Sequence, residues 1–284
     1  MDRTAIVAFL SLSLASCSGP SAIVVGSKNF TEQVVLGEIL AQHIERELRV
    51  PVVRKLNLGG TLLAHAALTS GSIDLYPEYT GTALTAVLKQ PPSSDPEAVF
   101  NKVRDAYQRQ WQLVWLEPLG FNNTFAMIVR REEKATTLSQ AAHARAWRMG
   151  MGYEFQQRPD GLAGLMKAYN LRLNGNPITM DLGLLYPALQ SRKVDMIAAN
   201  STDGLISVMN VTVLEDDRRY FPPYQAAVIA REATLARYPQ LRSTLEQLSG
   251  KLPDAVMRQL NYQVDGQHKP VAQVAAEFLK TLRQ

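Results

Sequence analysis

Ala22-Ile23-Val24-Val25-Gly26-Ser27-Lys28-Asn29-Phe30-Thr31-Glu32 is the stretch on which the architecture turns. Its apolar start reads as a buried strand over 22–25. Gly26-Ser27-Lys28 breaks that strand. Asn29, with Glu32 three residues on, has the spacing of a capping pair that opens a helix. Beyond it Leu36, Ile39, Leu40, Ile44 and Leu48 recur at a helical period, giving the helix one apolar face.

Working outward, the alternation continues. Strands are expected over 50–56 and 73–75, with a helix over 60–69 between them. Asp95-Pro96-Glu97 opens another helix: a cap, a proline at the first turn, and an acid that suits the dipole. A second block repeats the pattern, with strands over 125–129, 148–152, 178–180 and 195–199 and helices over 138–145, 161–169, 184–192 and 202–209. From 231 onward the chain reads as helical. Such alternation predicts an α/β protein of mainly parallel sheets with flanking helices. Two blocks predict two lobes, 18–121 with 225–284 and 122–224, joined by links near 120–125 and 221–225.

Upstream, Met1-Asp2-Arg3 and an apolar run over 5–14 lead to Leu14-Ala15-Ser16-Cys17. The run falls far short of the ~20 residues of a spanning helix and suits a signal peptide over 1–17. Its end resembles the bacterial lipobox, which implies lipidation at Cys17, the only cysteine of the chain. The protein is then expected outside the cytoplasm, at the periplasm or cell surface, held to a membrane by lipid. The remaining ~267 residues are enough for two domains of ordinary size. An apolar share of 46% against 20% charged residues marks a globular chain, not a disordered one. The net charge of +4 is spread through mixed runs such as Arg130-Arg131-Glu132-Glu133-Lys134. Nucleic-acid binding calls for a basic stripe with interleaved aromatics, and none is present.

In open α/β sheets ligands bind beyond the carboxyl ends of strands. The segments there are 26–32, 74–82, 120–125, 155–161, 200–204 and 221–224. They combine aromatic rings, a few cations and helix starts, a mix suited to a small zwitterion. A quaternary ammonium cannot donate a hydrogen bond and is best held over ring faces, at ~0.5–2 kcal/mol per contact. A carboxylate wants an arginine fork, a lysine or helix N–H groups. Tyr79, Phe125 and Tyr224 are the candidate rings. Lys28 and Arg158, with the Thr82 hydroxyl, are the candidate anion holders. Taken singly, each ring is more often a core residue than a cage wall, and Arg158 more often a surface ion-pair partner; their joint placement favours a site.

Gly26-Ser27-Lys28-Asn29-Phe30-Thr31-Glu32 and Tyr76-Pro77-Glu78-Tyr79-Thr80-Gly81-Thr82, with Ser201-Thr202-Asp203-Gly204 and Phe221-Pro222-Pro223-Tyr224, carry a resemblance. The chain resembles the substrate-binding proteins of osmoprotectant (glycine betaine, choline, carnitine) ABC transporters from about residue 23 to its end. The resemblance implies a two-lobed, type II periplasmic-binding-protein-like clamshell that closes on its ligand and docks, as a monomer, onto a membrane permease. It implies that Lys28, Tyr79, Thr82, Arg158 and Tyr224 line the pocket. Two positions depart from the pattern. Phe125 stands where a cage tyrosine is usual, and Asn200 where another aromatic is expected. The cage would then lack a wall, leaving room for a larger or more polar trimethylammonium compound such as ergothioneine.

Other classes find little support. No Gly-x-Ser-x-Gly elbow marks a hydrolase. His43, His65, His143 and His268 show no metal-ligand spacing, so neither a metal nor a cofactor is expected. Ser201-Thr202-Asp203 reads as a helix cap, not a catalytic set. His43 falls on the apolar side of its helix and reads as a satisfied core histidine. A sensory lipoprotein on the same clamshell is a further reading.

Overall fold

A computed structural model describes residues 22–282; the signal and lipidation expectations at 1–17 lie outside them. Among the described residues, ten strands form two five-stranded sheets. The first holds β1 (Ile23–Gly26), β2 (Val52–Lys55), β3 (Leu75–Tyr79), β4 (Leu113–Trp115) and β10 (Ala226–Arg231) in the order β2-β1-β3-β10-β4. The second holds β5 (Phe125–Arg130), β6 (Met149–Met151), β7 (Ile178–Thr179), β8 (Met196–Asn200) and β9 (Val211–Leu214) in the order β7-β6-β8-β5-β9. The two orders follow one rule. In each, the strand that follows a link between the lobes is inserted between the third and the last strand. This is the two-lobed type II clamshell that the resemblance implies.

Both sheets are mixed. Pairs β1–β2, β1–β3, β6–β7 and β6–β8 are parallel, as the alternation predicts. The inserted strands β10 and β5 run antiparallel to both neighbours. Periodicity places β5 where a strand was expected, over 125–129, but does not reveal β10, which reads Ala-Ala-Val-Ile-Ala-Arg, a sequence as suited to a helix as to a strand.

Helices cover the sheets: α1 (Thr31–Leu48), α2 (Thr61–Thr69), α3 (Thr80–Thr82), α4 (Pro96–Trp111), α5 (Leu138–Ala144), α6 (Tyr153–Gln157), α7 (Leu162–Tyr169), α8 (Leu185–Gln190), α9 (Glu232–Arg237), α10 (Leu241–Glu246), α11 (Asp254–Asp265) and α12 (Val271–Thr281). The apolar stripe of α1 (Leu36, Ile39, Leu40, Ile44) is buried, and the helix packs against α10, α11 and α12. His43 on that helix is buried with Nε2 2.8 Å from the Thr244 carbonyl, as a core histidine should be. At α4 the Asp95 carboxylate caps the amides of Glu97 and Ala98, again as expected.

Two expectations fail. Asn29 and Glu32 are not a capping pair: Phe30 takes the cap position of α1 without a side-chain bond, and Glu32 turns away from the helix end. The helix expected over 202–209 is a single 3-10 turn, Gly204–Ser207, ahead of β9. There the backbone of Gly204 lies against α11 so closely that a Cβ would meet the Tyr262 amide nitrogen at 2.2 Å. The hydroxyl and carboxylate of Thr202 and Asp203, read as a cap, bond elsewhere.

The links run side by side. Asn122 and Gln225 form an antiparallel bridge, the Asn123 amide donates to the Tyr224 carbonyl at 3.1 Å, and the Tyr224 amide donates to Asn122 Oδ1 at 2.6 Å.

Candidate functional site

A cavity of about 860 Å³ opens where the carboxyl ends of β1, β3, β6 and β8 face one another. All seven predicted residues (Lys28, Tyr79, Thr82, Phe125, Arg158, Asn200 and Tyr224) line it. Each arrives from an element end: Lys28 after β1, Tyr79 from the last residue of β3, Thr82 from α3, Arg158 after α6, and Tyr224 ahead of β10. Phe125 and Asn200 are register partners on β5 and β8, so their side chains leave the same sheet face side by side.

Phe125 is the centre of an aromatic group. Its ring meets Phe155 at 4.8 Å, Tyr224 at 5.7 Å and Phe221 at 5.9 Å between centroids, the first two edge to face. The Arg158 guanidinium lies 5.0 Å from the Phe125 centroid and 5.6 Å from that of Tyr224. Gly81 lets Tyr224 approach α3; a Cβ there would meet the Pro223 carbonyl at 2.7 Å and the ring at 2.8 Å. Tyr79 forms a separate wall. It stacks on Phe30, meets Phe121 edge to face, and carries the Lys28 ammonium 4.6 Å from its centroid.

Neither cation is unpaired. Lys28 Nζ lies 2.5 Å from Glu78 Oε1 and 3.4 Å from Thr61 Oγ1. Arg158 grips Asp160 with Nε at 2.9 Å and Nη2 at 2.6 Å, and its Nη1 donates to Thr82 Oγ1 at 3.0 Å. Burial pushes the Asp160 carboxyl up, but Arg158 outweighs it and holds the group below its ordinary range. The Thr82 oxygen accepts from Arg158 and keeps its own proton to donate.

The sequence reading passed over the acids. Glu32, buried at the base of the cavity, accepts from the Tyr79 hydroxyl at 2.6 Å, Asn123 Nδ2 at 2.8 Å, Asn261 Nδ2 at 3.1 Å and the Thr202 hydroxyl. Its partners come from β3, from the first link, from the turn after β8 and from α11. Burial pushes its pKa up, against the pull of the four donors. Glu154, from α6, accepts from the Thr61 amide and, at 3.2 Å, from the Thr61 hydroxyl, so a carboxylate of the second lobe caps α2 of the first. Gly60 leaves room for it, since a Cβ there would lie 2.4 Å from Glu154 Oε1. Glu78 and Asp160 stand beside predicted residues, in Tyr-Pro-Glu-Tyr and Arg-Pro-Asp, and charge pairing was the signal that could have found them.

A family model described as the substrate binding domain of ABC-type glycine betaine transport system matches residues 21–281. An ergothioneine transport permease/ergothioneine binding protein of Helicobacter pylori is 35% identical over 92% of this chain, which spans 47% of that longer protein. A carnitine transport binding protein of Listeria monocytogenes is 32% identical over 95% of this chain and 92% of its own length. A crystal structure titled as a glycine betaine/carnitine/choline ABC transporter superposes with a TM-score of 0.77, at 32% identity, covering 91% of this chain and 98% of that one. Fold, cavity and these matches agree, and the chain belongs to the substrate-binding domains of ABC-type glycine betaine transport systems.

Proposed function

We propose that the chain is the extracytoplasmic solute-binding component of an ABC importer, that it captures a small quaternary-ammonium compound between its lobes, and that it delivers the compound to a permease. The observation that carries this reading is the meeting of Tyr79, Phe125, Tyr224, Lys28, Thr82 and Arg158 on one cavity. Ring faces suit the methylated cation. The Thr82 hydroxyl, polarised by Arg158, suits the anionic end. The protein works as a binder and not as an enzyme, and as a monomer. Residues 18–121 with 225–284 form one lobe and 122–224 the other, hinged at the paired links. Lipid at Cys17 holds it to the membrane. Closure follows ligand only to the extent that the closed form binds it better.

The cavity volume and the polar Asn200 beside Phe125 favour a second reading: a larger trimethylammonium compound such as ergothioneine. A thermal-shift panel of glycine betaine, choline, carnitine and ergothioneine, followed by calorimetry, separates the two, because a bound ligand raises apparent stability by mass action. A shift with any of the four is the expected result. Stability unchanged by every one at millimolar concentration would refute the assignment.

A further inference from the structure

Three tyrosines of the cavity wall donate their hydroxyl protons to carboxylates: Tyr79 to Glu32, Tyr224 to Asp160, and Tyr186 to Asp203 at 3.0 Å. A phenol that donates to a carboxylate gains electron density in its ring, and an electron-rich ring face attracts a cation more strongly. The first two pairs belong to the site already described. The third does not: Tyr186 comes from α8 and Asp203 from the turn after β8.

Three observations set this pair apart. Among the described residues, Tyr79, Phe125 and Tyr224 each carry one of the protein's own cations, and Tyr186 carries none. Asp203 is half-buried and opens on the cavity, and both of its bonds, from Tyr186 and from the Asn200 amide at 3.2 Å, fall on Oδ2. No lysine or arginine among the described residues forms an ion pair with Asp203. The charged groups that face it, Glu32 of α1 and Asp265 at the end of α11, are both acids. The pair also stands beside Asn200, the position where the aromatic cage lacks a ring.

We propose that Tyr186 and Asp203 form a further wall of the binding site, which supplies the ring face missing at position 200 and selects a permanently charged onium group over a neutral group of the same shape. This rests on the reading of the cavity as a quaternary-amine site. Burial, with the fields of Glu32 and Asp265, pushes the Asp203 carboxyl up to about 7. The wall therefore carries its charge above neutral pH and loses it as the pH falls through that value.

The test compares choline with its neutral carbon isostere, 3,3-dimethylbutan-1-ol, by calorimetry on the mature protein. Tyr186→Leu should weaken choline about tenfold and leave the isostere nearly unchanged; Tyr186→Phe, which keeps the ring and the packing, should weaken choline about threefold. Wild-type affinity for choline should fall several-fold between about pH 8 and about pH 6, and Asp203→Asn should flatten that profile. Choline carries no titrating ammonium proton, so the dependence belongs to the protein. An unchanged choline-to-isostere ratio in both Tyr186 variants, or an unaltered pH profile in Asp203→Asn, overturns this wall even where Tyr224→Ala abolishes binding and the cavity assignment stands. Failure of the wild type to bind any onium compound overturns both.

Discussion

Replacing Glu154 by alanine tests whether closure is held by a bond between the lobes. Glu154 starts in the second lobe, on α6, and its carboxylate takes the amide and hydroxyl of Thr61 at the first turn of α2. These bonds form only when the lobes meet. A charge-assisted hydrogen bond is worth ~1.5–3 kcal/mol and a helix-dipole contact less than ~1 at a wet surface. Glu154 is half-buried, which discounts the total to ~1–2 kcal/mol of bias toward the closed form. If the ligand is held fully only in that form, its apparent Kd should rise ~5–30-fold. Calorimetry with the best ligand of the panel gives the affinity. Small-angle scattering, with and without ligand, gives the compaction. Glu154→Gln, which keeps an acceptor and loses the charge, should fall between wild type and alanine. An alanine variant with wild-type Kd and the same ligand-induced compaction would refute the reasoning.

Three further outcomes are expected. Asp160→Asn should free the Arg158 guanidinium from its counter-charge and shift the glycine betaine-to-choline affinity ratio ~10-fold toward the betaine in competition calorimetry; equal changes for both ligands would count against a carboxylate role near Arg158. Gly81→Ala should drive the Tyr224 ring from its place and cost ~1–2 kcal/mol of binding while the circular dichroism stays native. Asp203 titrates higher when folded than when unfolded, so its contribution to stability is present at low pH and lost as the pH rises through about 7. Asp203→Asn should accordingly gain melting temperature over wild type at about pH 8 more than at about pH 5 in ligand-free scans; a pH-independent difference would show that Asp203 is not the group responsible.

The strand ends were legible because β-α alternation forces them to one side of each sheet, and a list of rings and cations at those ends met in one cavity. Their pairing was not legible. Glu78 lies fifty positions from Lys28, and Thr202 lies 170 from Glu32; no local pattern links such partners. Asn29 and Glu32 show how spacing misleads. A carboxylate three residues after a polar one fits a capping box, yet the same residue in the first turn of α1 can turn into the cleft and collect four donors. Tyr186 was hidden for the opposite reason: it sits within an ordinary apolar helix, Leu-Tyr-Pro-Ala-Leu-Gln, and only the turn after β8 brings Asp203 to its hydroxyl.

The insertion of β10 between β3 and β4 has a consequence for how the polypeptide matures. Until residues 226–231 leave the ribosome, β4 has no neighbour to bond and the first sheet stops at β3, although every strand of the second sheet has already been made. Pairing across so many intervening residues is slow. A nascent chain bound for the far side of a membrane gains from that delay, because a translocation channel accepts it only before its first half has locked.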